Sequence, residues 1–372
     1  MKNYKKLLAL MLSAAMVLAI PGCGKEAEEP EEATEEVAEE AVVEEAPAEE
    51  EEEVEDNGIY SYLTGEPTTA EANELRPITC MIENTTMALP QYGLNLAGVL
   101  YECPVEGGIT RMMGVFEQDA IKDQEKIGNV RSCRPYYVFI SLEYDAIYVH
   151  FGQSIQGETL LNTGIIDDLN GLTDDGTVFY RSSDRSAPHN AYVSGSGIMA
   201  GIDKKGYSLN YRDDWNGHYK FNHSAEGNKL ENGKDCEVIM PYFYNNKPYF
   251  IYDEETGLYK RYEFGQAQVD AIDGEQVAVK NIIFKNVPSS IYTGTPYLDI
   301  PVNGSGEGKF FTNGKMIDIT WEKPTDTSPT QYFDEDGNEI ELNPGQTWVC
   351  LIENQNAEDN KFYETVEEYE SR

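Results

Sequence analysis

Two arginines stand three positions apart in GNVRSCRPYY (128–137), where Ser132 is placed to cap a helix and Pro135 suits its first turn. A helix start gathers unpaired N–H groups at the positive end of the helix dipole and so favours an anion. Arg131 and Arg134 beside it could each grip a carboxylate or phosphate through two parallel hydrogen bonds. Upstream, CPVEGGITR (103–111) contributes Glu106, two glycines that let a backbone or ligand come close, and Arg111. Downstream, RSSDRSAPHN (181–190) adds Arg181, Arg185, His189 and Asn190 in a loop that Pro188 keeps out of regular structure. The expected assembly is a cationic pocket lined by Arg111, Arg131, Arg134, Arg185, His189 and Asn190. The same residues allow another outcome. Glu83, Glu102, Glu106, Glu143 and Asp145 are close in sequence, and arginines sealed by internal carboxylates are an ordinary structural device. Glu106 is the one candidate for catalysis, as a general acid. That role needs a raised pKa, which neighbouring arginines oppose.

The elements that must position these groups can be read from short apolar runs punctuated by Gly, Asn and Asp. LRPITCMIEN (75–84), GITRMMGVFEQ (108–118) and DAIYVHFGQ (145–153) have strand composition and length. Between the last two, Tyr137, Ile140, Ser141 and Tyr144 share one helical face, and a further helix is predicted at 157–161. Strand, helix, strand in that order predicts a right-handed crossover and a partly parallel sheet. From residue 236 the pattern turns to strands and hairpins, at 274–287, 309–323, 330–342 and 345–353. Asn313-Gly314 and Asp336-Gly337 read as type I′ turns. The Asp334–Gly337 run lacks the later glutamate of a calcium loop and reads as a hairpin turn. The expected fold class is therefore α+β: a mixed α/β domain over 73–235 with a partly parallel sheet, then a smaller β-rich domain over 236–356, with an acidic tail at 357–372.

What precedes residue 73 concerns location. Three lysines in 1–6, a 14-residue apolar run (7–20) and IPGC (20–23) have the layout of an export signal ending in a lipidation site. The run is too short to remain as a membrane span. Cleavage after residue 22 would leave Cys23 diacylated, palmitate included, as an anchor on the outer face of the cytoplasmic membrane, and two acyl chains hold stably where one does not. Residues 25–56 contain 17 Glu and one Asp against one Lys, a composition that cannot bury a core and predicts an extended tether within 23–72. The 372-residue chain carries −39. With +3 in the leader and −17 in the tether, −25 remains for the body. With no basic stripe, nucleic acid and anionic lipid surfaces are excluded as expected partners. Any anion must be met by a local pocket of positive charge.

Beyond Cys23, the cysteines Cys80, Cys103, Cys133, Cys236 and Cys350 are odd in number and set among apolar neighbours, which reads mostly as small buried hydrophobes, although one or two disulfides remain open in an exported protein. No zinc spacing, phosphate-cradling glycine loop or Ser/His/Asp order stands out, so no metal and no cofactor is expected.

Taken in order, RPI (76), MIEN (81), VLYE (99), VEGGITR (105), IGNVRSCRPYY (127), EYDAIYVHFGQS (143), APHN (187), FTNGKMIDITWEK (311) and LNPGQTWV (342) make the chain similar to the YerB-like lipoproteins. The resemblance spans nearly all of 73–356. It departs at Asn129, Cys133 and Gln153, where that family usually has Pro, Ala and Gly. It implies an exported, anchored protein of Gram-positive bacteria with a domain of unknown function and a smaller C-terminal domain, and no established activity. Three functions are consistent with this. One is a wall-facing protein binding an anionic or glycan-like ligand, with some of the 25 tyrosines stacking on sugar. Another is an enzyme cleaving wall glycan with Glu106, and the third is a scaffold for another exported protein.

Overall fold

The computed structural model describes residues 56–372 apart from 175, 213, 214 and 216. The leader, Cys23 and nearly all of the acidic segment lie outside the described residues. The strands nearest the site are short apolar runs in which every side chain is buried, as expected where both sheet faces are covered. In chain order the principal strands are β1 (Ile78–Asn84), β2 (Val99–Pro104), β3 (Thr110–Phe116), β4 (Ile147–His150), β5 (Asp168–Asn170), β6 (Asn281–Val287), β7 (Gly304–Thr312), β8 (Lys315–Lys323), β9 (Gln331–Phe333) and β10 (Thr347–Glu353). They line up as β9-β8-β7-β6-β10-β2-β3-β1-β4-β5 in an 11-stranded sheet, which Lys234–Asp235 completes beside β8.

The fold is α+β as expected, with helices and a partly parallel sheet in the N-terminal segment and a β-rich C-terminal segment. Both segments contribute to one sheet, because β2 runs parallel to β10 from Val99↔Thr347 to Glu102↔Cys350. The crossover differs from the sequence reading. β3 and β4 are not neighbours; β1 lies between them, antiparallel to β3 and parallel to β4. β3 is committed instead to antiparallel ladders with β1 and β2. A second sheet, six-stranded, contains Val238–Met240, Tyr249–Asp253 and Leu258–Glu263. Part of the segment expected as an acidic tail joins it, since Lys361–Tyr363 pairs with Val238–Met240.

The hairpin between β7 and β8 turns at Asn313 (φ 50°) and Gly314 (φ 71°), the two left-handed residues a type I′ turn requires. The second expected type I′ turn is a wider loop. Only Gly337 of its dipeptide has positive φ, and Asp334 closes the loop by accepting from the N–H groups of Asp336 (3.0 Å) and Asn338 (2.8 Å).

Helix α1 (Pro135–Glu143) is buried on nearly every side, so its position is set by packing and not by an amphipathic stripe. Pro135 opens it as expected, but its N-cap is Arg134. Ser132 donates instead to the Phe151 carbonyl at 3.0 Å. It ends where Asp145 turns left-handed (φ 50°). At that end Glu143 accepts from His218 (2.8 Å) and from the Thr330 N–H and hydroxyl (3.0 and 2.9 Å), with Lys323 at 3.7 Å. This buried knot ties α1 to the C-terminal segment. Helix α2 (Ile155–Leu161) falls where a second helix was predicted, capped by Ser154. The five described cysteines are buried and free.

Candidate functional site

The site begins at the end of the β1–β3 ladder, where Glu83 and Arg111 are direct cross-strand partners. Such partners bring their side chains onto one face within a few ångströms, and opposite charges there normally pair. These two do not. Glu83 turns to Arg131 (Oε1 to Nη2, 2.6 Å), and Arg111 turns to the Ser132 carbonyl (2.7 Å). Among the described residues Arg111 has no carboxylate within ion-pairing distance, although only 9% of it is exposed. Both side chains line a cavity of about 280 Å3 with Asn84, Thr85, Thr110, Arg131 and His189.

Backbone pairing brings the other walls in. Residues 129–131 run beside β1, with Arg131 N–H on the Met81 carbonyl (3.0 Å) and Glu83 N–H on the Asn129 carbonyl (2.9 Å). The short strand Ile127–Gly128 pairs with Ala191–Val193, which draws the 185–190 loop alongside. Arg131 then donates to the Pro188 carbonyl at 2.9 Å, and Asn129 donates to the His189 carbonyl. His189 Nδ1 lies 2.6 Å from Glu83 Oε1 and 2.9 Å from Arg131 Nη2. An ionised carboxylate only accepts and a guanidinium only donates, so both contacts to Nδ1 cannot be hydrogen bonds of one tautomer. The shorter, charge-assisted contact fits the tautomer with its proton on Nδ1, in which Nε2 keeps a lone pair and has no partner among the described residues. Burial pushes the Glu83 carboxyl up, but the Arg131 hydrogen bond and charge more than offset this and hold it below the usual range. Burial and then the like charge of Arg134 push the Arg111 guanidinium down, although far too little to discharge it.

Arg134 is sealed. Its Nε and Nη2 grip both oxygens of Glu106, Nη1 donates to the Cys133 carbonyl (2.8 Å), and its face lies 4.9 Å from the Tyr297 ring centre. Gly107 and Gly108, both at positive φ, form the tight turn that presents Glu106 to it. Burial raises the Glu106 carboxyl and the Arg134 guanidinium more than reverses this, giving a net lowering, the opposite of what a general acid needs. Arg185 does not line the cavity. It holds the 88–90 loop through the Ala88 carbonyl and the Pro90 carbonyl (2.9 Å). Asn190 also faces elsewhere, accepting from Arg181 (2.8 Å) and donating to the Ser182 carbonyl (2.9 Å).

The expected cluster is thus divided. Arg111, Arg131 and His189 come together, Arg134 is paired with Glu106, and Arg185 and Asn190 serve the loop. Glu83 was considered only as an internal counter-ion. The available signal was an acid inside the otherwise apolar run ITCMIEN, since a charge there is retained only with a partner. A second cavity, about 250 Å3, shares Ile109 and Thr110 and is bordered by Tyr242 and the 71%-exposed Tyr244. A larger one, about 550 Å3, is walled by Glu231, Asp318, Asp334, Glu335 and Glu339 with Lys234, and its charge repels anions. Among the described residues no group of His, Cys, Asp or Glu side chains is arranged to hold a metal.

The chain matches two family models, "Protein of unknown function (DUF3048) N-terminal domain" over residues 63–208 and its C-terminal domain over 238–349. It belongs to that family. It is 30% identical over 295 residues to "Putative lipoprotein YerB" of Bacillus subtilis (strain 168), covering 78% of this chain and 85% of the relative. A crystal structure of YerB protein from Bacillus subtilis superposes with a TM-score of 0.73 at 28% identity, covering 82% of this chain and 99% of the other.

Proposed function

We propose that this protein is a lipid-anchored protein on the outer face of the cytoplasmic membrane that binds a small anionic ligand of the cell envelope at Arg111. The observation that carries the reading is an almost fully buried guanidinium with, among the described residues, no carboxylate within ion-pairing distance, on the wall of a cavity of about 280 Å3. Glu83 offsets Arg131 and Glu106 offsets Arg134, so the charge of Arg111 is left over. A buried charge without a partner is costly, and an anionic guest removes that cost. The surrounding body carries −25, which makes the local excess specific to this cavity. The exposed Tyr244 ring beside the adjoining cavity offers a stacking face for a sugar attached to the anion. The membrane location rests on the similarity to a lipoprotein and on the sequence around Cys23.

Calorimetric titration of the full chain with propionate, phosphate and purified wall fragments tests the binding. Heat for at least one anion, abolished in Arg111→Met with unchanged circular dichroism, is expected. A flat titration for every anion with wild type would overturn the reading.

A further inference from the structure

The cavity has a second unmet requirement besides its surplus positive charge. One accessible acceptor in its walls lacks a donor, and a second lies sealed behind it. His189 Nε2 has no partner among the described residues, and it is an acceptor because Nδ1 carries the proton toward Glu83 Oε1 at 2.6 Å. Glu83 Oε2 is buried and makes no hydrogen bond, while Oε1 accepts from Thr85, Arg131 and His189. The walls therefore present free donors at Arg111 and a free acceptor at His189, while Glu83 Oε2 is sealed behind them. Cross-strand pairing of Glu83 with Arg111 keeps the two sets of groups adjacent.

We infer that the ligand combines a carboxylate with a neutral N–H donor on the neighbouring atoms, the arrangement found at the C-terminal residue of a peptide or in an N-acylated amino acid. This rests on the anion-binding reading above and names the ligand class of that site. A lone carboxylate would leave the His189 acceptor to water and forgo the hydrogen bond that an N–H could make there. An ammonium group would satisfy it but is disfavoured. Glu83 is already neutralised by Arg131, so a further cation would enter beside Arg111 and Arg131 with no charge left to match it. An amide N–H supplies the bond without the charge. The volume, about 280 Å3, lies near the lower limit of ligand pockets and suits one acylated residue rather than a long chain.

The test uses the full wild-type chain and calorimetric or saturation-transfer titration with four probes: N-acetylalanine, its N-methyl analogue in which a methyl replaces the N–H hydrogen, free alanine, and N-acetylalanine amide lacking the carboxylate. Both enantiomers of each are used. In at least one enantiomer, N-acetylalanine is expected to bind about tenfold or more tightly than its N-methyl analogue, the ratio for one hydrogen bond to a charged or otherwise unpaired buried group. Free alanine should be weaker than N-acetylalanine, and the amide should show no binding. His189→Phe should bring the ratio of N-acetylalanine to N-methyl-analogue affinity to about one, whatever it does to propionate. If that variant does not fold, the comparison of the first two probes on wild type decides alone. Equal binding of N-acetylalanine, its N-methyl analogue and propionate would overturn the N–H requirement and leave the anion site standing. Tighter binding of free alanine would overturn the charge argument. No binding by any carboxylate would overturn both readings.

Discussion

Replacing Glu143 by Gln should destabilise the protein in a way that depends on pH. Its carboxyl is fully buried; burial raises it, while Lys285, His218 and Lys323 lower it further, to about 2 from an ordinary 4.5. Holding the carboxyl at that value contributes about 3 kcal/mol at neutral pH. The folded value is depressed, so the contribution is present above pH 4.5 and is lost as pH falls toward 2. Burial also pushes the Lys285 amine down to about 8, against the pull of Glu143. Both partners are therefore ionised together between those limits. Glu143→Gln keeps the shape but leaves two buried ammonium groups unpaired, and a loss of about 3 kcal/mol near pH 7 is expected. Urea unfolding followed by the fluorescence of Trp215, Trp321 and Trp348 measures it. The gap between variant and wild type should close as pH drops from 4.5 to 2, where the wild-type carboxylate is also protonated. A gap below about 1 kcal/mol at pH 7, or one constant across that range, would refute the reasoning.

Other predictions concern separate parts of the molecule. Lys285→Met removes a group whose folded value lies below its unfolded one, so between pH 8 and 10.5 wild type should gain stability relative to the variant, read by the same unfolding assay. Glu106→Gln should cost about 2 kcal/mol by exposing Arg134 without a counter-ion. It should also tighten anion binding at Arg111 in calorimetry, whereas loss of a wall-cleaving activity would revive the general-acid role. Cys133 and Cys236, pushed up by burial to about 12, should resist iodoacetamide at pH 8 in the native protein and label fully in urea. Cys23→Ser should abolish incorporation of labelled palmitate and move the protein from the membrane fraction to the medium.

The local parts of the fold were legible because they depend on neighbours in sequence. Pro135 opened the helix expected of it, and Asn313-Gly314 turned the hairpin because both residues tolerate positive φ. The long-range parts were not. Pairing of β2 with β10 joins residues some 250 positions apart, and neither strand's composition names its partner. The crossover was misread because β3 has enough apolar length to be a central strand but is used in two antiparallel ladders. The site followed the same division. Residue types identified the arginines, but which of them is sealed depends on a 3₁₀ turn that delivers Glu106 from 28 positions away. Asp336-Gly337 misled because Asp334 could cap the loop with its own carboxylate, which relieved Asp336 of any need for positive φ.

Nitrogen-15 NMR of the arginine side chains tests the central claim most directly, with the Arg111 Nε–H signal assigned by its absence in Arg111→Met. On titration with propionate, that signal should move and saturate while those of Arg131 and Arg134, held by Glu83 and Glu106, stay in place. An Arg111 signal that never moves, or sealed arginines that shift as far, would contradict the account.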